Sequence, residues 1–461
     1  MTGWPGYRPD PAVLHLGERY YDAVAPAAFP ATILRFRNQR HAGTIGLDTL
    51  DDDSWLLHFG RFQPLPDNLP APLALRYHGH QFRSYNPDIG DGRGFLHAQL
   101  RDRQGRLLDL GTKGTGQTPY SRFGDGRLTL KGGVREVLAT EMLEALGVDT
   151  SKSLSLVETG EALERNDEPS PTRAAALVRL SHSHIRYGSF QRLAYLGERD
   201  AIMPLVDYCV RHFVGGEPAD PVAALMAYAV ERGARLAASW RAAGFVHGVL
   251  NSDNMNITGE SFDYGPWRFL PRFDDSFTAA YFDHFGLYAF GRQAEAVQWN
   301  LHQLALALRT VAEAESLIPA LQRFPDLYEA ALAERYCWRL GVEPKRAAAD
   351  TGLAQSIESA LAAVDIEPDR FWFDWRGGTR RGAGPADAAY ASPAFAPFIA
   401  AVGDYRPAKP ATHAYWSDAA PCSMLIDEVE EIWAAIADHD DWAPFNAKIS
   451  AIRRMGEAYA S

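Results

Sequence analysis

The stretch HGVLNSDNMNITGESFDYGP, residues 247–266, places three hard oxygen donors close together, Asp253, Asn254 and Asp263. Carboxylate and amide oxygens are ligands that Mg²⁺ prefers, and a carboxylate can also accept the proton of a hydroxyl group. The segment directly before it, residues 221–244, has strong helical spacing and ends in a glycine, as helices often do. The sequence therefore predicts a catalytic and metal-binding loop that follows a long helix.

The same stretch follows a kinase pattern with one position changed. Kinase-like phosphotransferases often carry H-G-D-L-x-x-x-N, in which the Asp accepts the hydroxyl proton and the Asn binds the metal, and a D-F-G follows. Aligned on His247, the Asp of the pattern becomes Val249. The Asn falls on Asn254, and a DYG begins at Asp263. Because both metal donors are kept and Asp253 can replace the missing base, the pattern favours an active enzyme with a relocated base.

On the N-terminal side, GFLHAQL and RLLDLGTK flank RDRQG, which predicts a β-hairpin with Gly105 in its turn. Helical spacing over residues 134–145 predicts the next helix, with Gly147 at its end. Lys113 ends the second strand and Glu136 lies on this helix. A strand Lys paired with a Glu of the following helix is the arrangement that kinases use to hold phosphates.

Two turns with the same tetrapeptide, GDGR, stand at 90–93 and 124–127, on either side of Lys113. Glycines allow backbone N–H groups to approach phosphate oxygens. A guanidinium held in such a loop, as at Arg93, can bind phosphate through two hydrogen bonds. Tight turns with exposed polar residues would give the same pattern, so the turns alone leave both interpretations open.

Two arginines farther along, Arg179 and Arg186, would stabilise charge that develops on a transferred phosphoryl group. Ordinary basic residues near the junction of two lobes explain them equally well. His182 and His184 lie between them on a predicted strand, and we expect no metal site at this pair.

The composition excludes some classes of protein. The chain has 461 residues, a formal net charge of −12 and three cysteines. This balance disfavours nucleic-acid binding, which needs a clustered basic face. The cysteines, Cys209, Cys337 and Cys422, are far apart and indicate a reducing compartment. The sequence contains neither a recognisable targeting peptide nor an apolar run of about 20 residues, so we expect a cytoplasmic protein without nucleic-acid or membrane partners.

The layout predicts an α+β protein with a protein-kinase-like bilobal fold, in which a mixed N-lobe precedes a helical C-lobe and a helical C-terminal region. Helical spacing also covers residues 291–324. We divide the chain into a wrapping segment at 1–65, an N-lobe with nucleotide-binding loops at 66–199, a C-lobe with the catalytic and metal loop at 200–330, and a C-terminal helical region at 331–461.

Six stretches of the chain resemble those of one known family and stand in its order. They are YHGHQFRSYNPDIGDGRG, GTGQTPYSRFGDGR, REVLATEML, RLSHSHIRYGSFQ, HGVLNSDNMNITGESFDYGP and WNLHQLALAL, and they span about residues 70–310. Taken together, they identify the chain as similar to the selenoprotein O (SelO) family of protein adenylyltransferases.

The resemblance implies a pseudokinase-like fold that binds ATP in a flipped orientation. It also implies transfer of AMP to Ser, Thr or Tyr hydroxyls of protein substrates, with Mg²⁺ or Mn²⁺. Carried over by motif, Asp253 is the proton acceptor, and Asn254 and Asp263 bind the metal. Glu136 pairs with Lys113. The residues expected to contact the nucleotide are Gly90, Gly92, Arg93, Lys113, Asp125, Gly126, Arg179, Arg186 and Asp263.

The sequence departs from the family pattern elsewhere. Residues 1–65 and the C-terminal part match it poorly, and Gly132-Gly133-Val134 replaces a Ser-Ser-Ile. Arg83 stands where a small residue is usual, and Cys422 stands without the second cysteine of a redox pair. These departures leave the choice of substrate and redox control open. The alternatives are a kinase of a protein or small molecule and a non-catalytic nucleotide-binding pseudokinase, and the sequence does not distinguish AMP from UMP as the transferred group.

Overall fold

One large antiparallel sheet, two small two-stranded sheets and many helices make up an α+β fold. The computed structural model describes residues 4–166 and 168–461. The strands in these ranges are β1 (Tyr21–Ala23), β2 (Ile33–Arg37), β3 (Leu73–Leu75), β4 (Gly79–Gln81), β5 (Ser84–Asn86), β6 (Leu96–Arg101), β7 (Leu107–Lys113), β8 (Leu128–Thr129), β9 (Lys152–Leu163), β10 (Thr172–Ser181), β11 (Phe245–Val246) and β12 (Arg268–Phe269).

The α-helices of the same ranges lie mostly after the sheet in chain order. They are α1 (Gln39–Thr44), α2 (Asp52–Phe59), α3 (Leu130–Ala145), α4 (Tyr187–Tyr195), α5 (Arg199–Cys209), α6 (Pro221–Ala243), α7 (Gln293–Leu308), α8 (Ala314–Gln322), α9 (Phe324–Leu340), α10 (Ala347–Ala362), α11 (Pro368–Asp374), α12 (Asp387–Tyr390), α13 (Ala396–Val402), α14 (Ile426–His439) and α15 (Ala443–Ala460). None of these helices is long and apolar enough to cross a lipid bilayer.

The main sheet has, among the described residues, eight strands in the order β1-β3-β6-β7-β10-β9-β2, with β8 paired to β10. Strands β6 and β7 form an antiparallel hairpin in which Gln99 lies opposite Asp109. Its turn uses Gly105 at a φ of +81°, which glycine adopts without strain. The predicted hairpin is therefore confirmed, and its second strand brings Lys113 opposite Leu177 of β10.

Both faces of the sheet are covered by other parts of the chain. Alternate residues of a strand point to opposite faces, so they pack into two different cores. In β10, Leu177 belongs to the hydrophobic core that includes α3, whereas Val178 belongs to the core around Trp55 of α2. Arg179 lies two positions beyond Leu177 and shares its face. Lys113, the register partner of Leu177, also faces α3. The two basic side chains are thus directed toward the helix that carries Glu136.

The two helices predicted beside the central loops are present. Helix α3 begins at Leu130, before the predicted start, because the Thr129 side chain accepts a hydrogen bond from the Gly132 N–H and caps it. Gly147 follows its end at a φ of +70°. Helix α6 ends at Gly244, which has a left-handed φ of +65°.

The helical segment predicted over residues 291–324 is divided in the structure. Helix α7 ends at Leu308 and α8 begins at Ala314. Helix α9 then begins at Phe324, with a proline in its first turn. A proline is favourable in the first turn of a helix but cannot continue a preceding one, so the helical spacing of the sequence hides two boundaries.

Helix α6 is the centre of the helical region, where it contacts α7, α8 and α9. A separate hydrophobic core surrounds α9 and α10 and includes Tyr336, Ile357 and Phe371. Helices α14 and α15 return to the sheet and contact α3. Residues before position 66 contribute β1 and β2 to the main sheet. The four-segment division of the chain stays a prediction.

Candidate active site

A cleft of about 850 Å³ lies where the main sheet meets the loop that follows α6. Its lining includes eleven of the twelve predicted site residues. These are Gly90, Gly92, Arg93, Lys113, Asp125, Gly126, Arg179, Arg186, Asp253, Asn254 and Asp263. The twelfth, Glu136, lies behind Lys113. One cavity thus brings together residues from both halves of the chain.

Lys113 and Glu136 form a buried ion pair between β7 and α3. Lys113 Nζ donates a hydrogen bond to Glu136 Oε1, and both side chains are almost fully buried. Burial lowers the pKa of Lys113, and the negative charge of Glu136 acts in the opposite direction. Lys113 Nζ also lies 3.4 Å from Asp263 Oδ1. The pair holds the ammonium group at the wall of the cleft.

Asp263 is surrounded by three basic side chains. Its Oδ1 lies 2.7 Å from Arg179 Nη1, and its Oδ2 lies 3.0 Å from Arg186 Nη1. Lys113 is the third basic neighbour. Burial by itself would raise the pKa of Asp263, but the charges of these three groups outweigh it and hold the pKa well below the usual range. Asp263 is therefore an ionised carboxylate, the form in which it would bind a divalent cation.

Asp253 is a buried carboxylate in the 3₁₀ turn Ser252–Asn254 and is 8% exposed. Its Oδ1 has no hydrogen-bond partner among the described residues. Gln81 Nε2 lies 3.5 Å from its Oδ2, at the limit of a hydrogen bond. Burial raises the pKa of Asp253 to about 6. A buried carboxylate oxygen without an internal donor is suited to accept a proton from a bound molecule.

Hydrogen bonds hold the loop around Asp253 in place. Arg186 Nη1 donates to the Asp253 carbonyl oxygen at 2.8 Å. Asn254 Nδ2 donates to the Val249 carbonyl oxygen at 3.0 Å, which leaves the side-chain oxygen of Asn254 for a cation. Val249 itself lines the cleft but carries no group that accepts a proton. The loop thus offers Asp253 as its carboxylate beside the cleft.

The two Gly-rich turns pack closely against neighbouring residues. A Cβ at Gly90 would lie 2.5 Å from the Tyr120 ring, and a Cβ at Gly92 would lie 2.8 Å from the Tyr120 carbonyl oxygen. Gly126 has a φ of +69°, and a Cβ there would lie 2.2 Å from the Gly116 carbonyl oxygen. Close packing of loops therefore requires glycine at these positions, apart from any contact with a ligand.

Among the predicted residues of the cleft, Arg93 and Asp125 are exposed. Asp125 Oδ2 accepts a hydrogen bond from Arg165 Nη1 at 2.8 Å, and its Oδ1 accepts one from the Arg127 backbone N–H at 2.9 Å. Asp125 is thus already paired with a basic residue. Arg165 also lines the cleft and adds a positive charge that the sequence did not indicate.

Asp91, Tyr77 and Gln81 line the cleft too and were not predicted. Asp91 Oδ1 lies 3.3 Å from Arg186 Nη2, and its Oδ2 accepts a hydrogen bond from the Leu75 N–H at 3.0 Å. The Tyr77 ring centroid lies 4.4 Å from the guanidinium carbon of Arg186. A signal existed for Asp91, because it is the acidic residue of the first GDGR copy. Tyr77 and Gln81 lie in the stretch YHGHQFRSYNPDIGDGRG that resembles the family, but no motif within it singles them out.

A second group of possible metal ligands lies outside the cleft. Donor atoms of Asp149, His182 and Glu260 are within 4.8 Å of one another. Arg232 pairs with Asp149, and Arg106 Nη1 lies 3.1 Å from His182 Nε2. Two guanidinium groups therefore border this group and disfavour a cation there.

The predicted position of His182 on a strand is wrong. Strand β10 ends at Ser181, because the His182 N–H bonds to the Glu260 carboxylate at 2.9 Å and not to a neighbouring strand. His184 also lies beyond the strand, where its N–H donates to Asp109 Oδ2 at 2.7 Å.

The chain is similar to known proteins over most of its length. The family described as Protein adenylyltransferase SelO matches residues 7–382, which include most of the segment at 1–65, so the expected poor match of that segment is wrong. The chain is 44% identical over 463 residues to the Protein nucleotidyltransferase YdiU of Gloeobacter violaceus, which covers 96% of this chain and 95% of that protein. It is 41% identical over 471 residues to the protein of the same name from Trichormus variabilis, with 97% and 96% covered. The chain is also 50% identical over 360 residues to the Protein nucleotidyltransferase YdiU of Synechococcus elongatus, which covers 77% of this chain and 70% of that protein. With matches of this extent and identity, the chain belongs to the SelO family of protein adenylyltransferases.

Proposed function

We propose that this chain is a nucleotidyltransferase that moves AMP from ATP to Ser, Thr or Tyr hydroxyls of proteins. The observation that carries the proposal is the buried Asp253 carboxylate, whose Oδ1 has no donor among the described residues and which lines the same cleft as Lys113 and two arginines. Val249 at the usual kinase position speaks against a kinase. Membership of the SelO family supports transfer of a nucleotidyl group.

We infer that the main sheet with α3 and the helical region with α6 are the two lobes of a protein-kinase-like fold. The Lys113–Glu136 ion pair supports this, because it joins a strand to the following helix. The position of Asn254 and Asp263 after α6 supports it as well. Kinases use these places to hold phosphates and metal, so the nucleotide would bind between the segments at 66–199 and 200–330.

The triphosphate of ATP would bind against the basic wall of the cleft. Arg179 and Arg186 are buried and already held toward the cleft by Asp263, so little side-chain entropy is lost when the nucleotide binds. The residues that we propose as nucleotide contacts are Gly90, Gly92, Arg93, Lys113, Asp125, Gly126, Arg179, Arg186 and Asp263.

Asn254 and Asp263 would hold Mg²⁺ or Mn²⁺, since a side-chain amide oxygen and an ionised carboxylate suit a hard cation. When bound, the cation would neutralise charge on the phosphate oxygens. Three basic groups already balance the charge of Asp263. We therefore expect the cation to bind together with the anionic triphosphate and only weakly without it.

In the proposed reaction, Asp253 accepts the proton of the acceptor hydroxyl while the hydroxyl oxygen attacks the α-phosphorus of ATP. The bond from the α-phosphorus to the oxygen that bridges to the β-phosphate breaks, and pyrophosphate leaves with the electron pair. The products are an AMP ester of the protein, pyrophosphate and protonated Asp253, which releases its proton to solvent. Lys113 and the two arginines stabilise the charge of the transition state.

Labelled nucleotide tests the proposal. Incubation with Mg²⁺ and ATP labelled at the α-phosphate is expected to label the protein or an added protein acceptor, whereas label at the γ-phosphate is not transferred. Asp253→Ala should lower the transfer by about 10²–10⁴-fold, because a general base is lost. Its affinity for ATP, measured by calorimetry, should stay close to that of the wild type. Intact-protein mass spectrometry would detect the AMP adduct directly.

Other outcomes would point to the alternatives. Transfer of the γ-label alone would identify a kinase, and ATP binding without any transfer by the wild type would identify a nucleotide-binding pseudokinase. Equal labelling by Asp253→Ala would contradict the role of Asp253. A parallel reaction with UTP labelled at the α-phosphate decides whether UMP is the transferred group.

A further inference from the structure

Four of the six exposed aromatic side chains in the described part of the chain lie in two loops, at residue 82 and at residues 281–285, and the rings of Phe82 and Phe282 join the two loops. They are Phe82, Tyr281, Phe282 and Phe285, which we call the aromatic platform, and they are 38%, 81%, 42% and 93% exposed. The ring of Phe282 lies 5.8 Å from that of Phe82 and 5.1 Å from that of Tyr281. Exposed apolar clusters of this kind mark interaction sites on soluble domains.

The platform is joined to the loop of Asp253 through Phe82. Its backbone N–H donates to Asn251 Oδ1 at 3.0 Å, two residues before Asp253. The Tyr288 hydroxyl donates to the same oxygen at 2.9 Å, and its ring lies 5.0 Å from the ring of Phe82. Gln81, directly before Phe82, lines the cleft. The platform therefore begins where the cleft with its carboxylate ends.

The second loop of the platform is joined to the same region. A Cβ at Gly248 would lie 3.1 Å from Ala279 Cβ, so the chain just before Tyr281 packs against the residue next to Val249. Asp283 orders the loop, because its two carboxylate oxygens accept hydrogen bonds from the backbone N–H groups of Leu287 and Tyr288 at 2.8 Å each. The aromatic side chains stand on a preformed loop.

The platform does not belong to the nucleotide site. None of its four side chains lines the cleft among the described residues, whereas the basic groups suited to phosphate do. The platform carries rings and little charge, which fits apolar side chains and not phosphates. Its position beside Asp253, the proposed proton acceptor, leaves the acceptor polypeptide as the occupant that the arrangement favours.

We propose that the aromatic platform binds the acceptor polypeptide by contacting bulky apolar side chains next to the hydroxyl that receives AMP. This inference rests on the proposed function and deepens it, because it assigns the chemical class of acceptor sequence. Contacts away from the reacting atoms hold a hydroxyl in position for transfer, so they raise the rate for a suitable acceptor.

The test compares three acceptors of AMP. The first is a synthetic peptide with one Tyr flanked by Leu and Phe, the second is the same peptide with Ser and Gly as flanking residues, and the third is N-acetyltyrosinamide. For the wild type, we expect kcat/KM to be higher for the apolar peptide than for the polar one. In the double variant Tyr281→Ser/Phe285→Ser, kcat/KM for the apolar peptide should fall about tenfold or more, which is the usual effect of removing anchor residues from an interface. Transfer to N-acetyltyrosinamide should be unchanged.

The matched control is Leu306→Ser/Ile399→Ser, which removes two other exposed apolar side chains, 59% and 43% exposed, on α7 and α13. It should leave all three acceptors unaffected. Both double variants change exposed side chains, so both should fold, and thermal unfolding checks this.

Several outcomes would overturn the inference. These are equal use of both peptides by the wild type, an unchanged rate of the platform variant with the apolar peptide, or an equal loss in the control variant. A shift from dimer to monomer in the platform variant would assign the platform to a second copy of the chain. Failure of the proposed function looks different, because the wild type would then transfer AMP to none of the acceptors, N-acetyltyrosinamide included.

Discussion

Asp253, the proposed proton acceptor, packs against a residue that has no side chain. A Cβ at Gly79 would lie 2.9 Å from Asp253 Cβ and 3.0 Å from its Oδ1. Contacts this short force one partner to move. Gly79→Ala should therefore displace the carboxylate and lower AMP transfer by about 10²-fold, the usual effect of a small misplacement of a reacting group. The measurement is kcat for transfer together with the Kd for ATP, which should be nearly unchanged.

Gly352→Ala is the control for this substitution. Gly352 lies in α10, where a Cβ would meet nothing within 4 Å. The change should leave transfer intact and stabilise the helix by up to about 1 kcal/mol. If Gly79→Ala kept full activity, the close packing around Asp253 would have no role in catalysis.

At the scale of elements, the pair His182–Glu260 holds the end of β10 to the loop that leads to β12. His182 Nδ1 lies 2.7 Å from Glu260 Oε1, and Glu260 is buried. The charge of Glu260 raises the pKa of His182 above its ordinary value, although burial and Arg106 oppose the shift. The unfolded chain has no such pair, so the protonated imidazole stabilises the folded state below a pH of about 6.5. This stabilisation is lost as the pH rises through the raised pKa.

We therefore expect His182→Gln to destabilise the protein by about 1–3 kcal/mol at pH 6, because Glu260 loses a charged hydrogen-bond donor. The loss should be smaller at pH 9. Chemical unfolding of both proteins at the two pH values measures this. His302→Gln, at an exposed position of α7, is the control and should show little dependence on pH. A loss for His182→Gln that is equal at both values would contradict the charged pair.

At the scale of the whole molecule, the C-terminal helices support the helix that carries Glu136. Arg453 of α15 bonds to both carboxylate oxygens of Glu141 in α3, at 2.7 and 2.8 Å. The Glu141 side chain is only 2% exposed. Removing one partner of a buried ion pair leaves an uncompensated charge. The sequence did not indicate a role for residues 331–461. The structure shows that they include a helix, α15, that stabilises the position of α3.

Arg453→Met should destabilise the protein by about 3 kcal/mol, the low end for a broken buried pair, since Asn38 Nδ2 still donates to Glu141 Oε1. Thermal and chemical unfolding measure the loss. The neighbouring change Arg454→Met affects an exposed pair with Asp418 and should have a much smaller effect. Similar losses of stability in the two variants would show that the buried ion pair of Arg453 contributes no more than the exposed pair of Arg454.

Local sequence patterns were sufficient to predict several elements of the fold. The hairpin turn at Gly105, the course of α3 and the end of α6 at Gly244 each depend on residues within one or two turns of chain. Helix boundaries within residues 291–324 were hidden, because α7, α8 and α9 have similar spacing. Local spacing describes which face of a helix is apolar, but it does not always show where one helix stops.

The sequence by itself determined the α+β class, the family and the residue types that line the cleft, since these depend on local spacing and on motifs in order. Only the tertiary structure decided which side chains of the site contact one another. Arg186 reaches Asp91, 95 positions away, and Gln81 approaches Asp253, 172 positions away. Such contacts arise from packing the sheet against the helical region, and the free energy of that packing is shared among many side chains. No short stretch of sequence is therefore sufficient to predict these contacts.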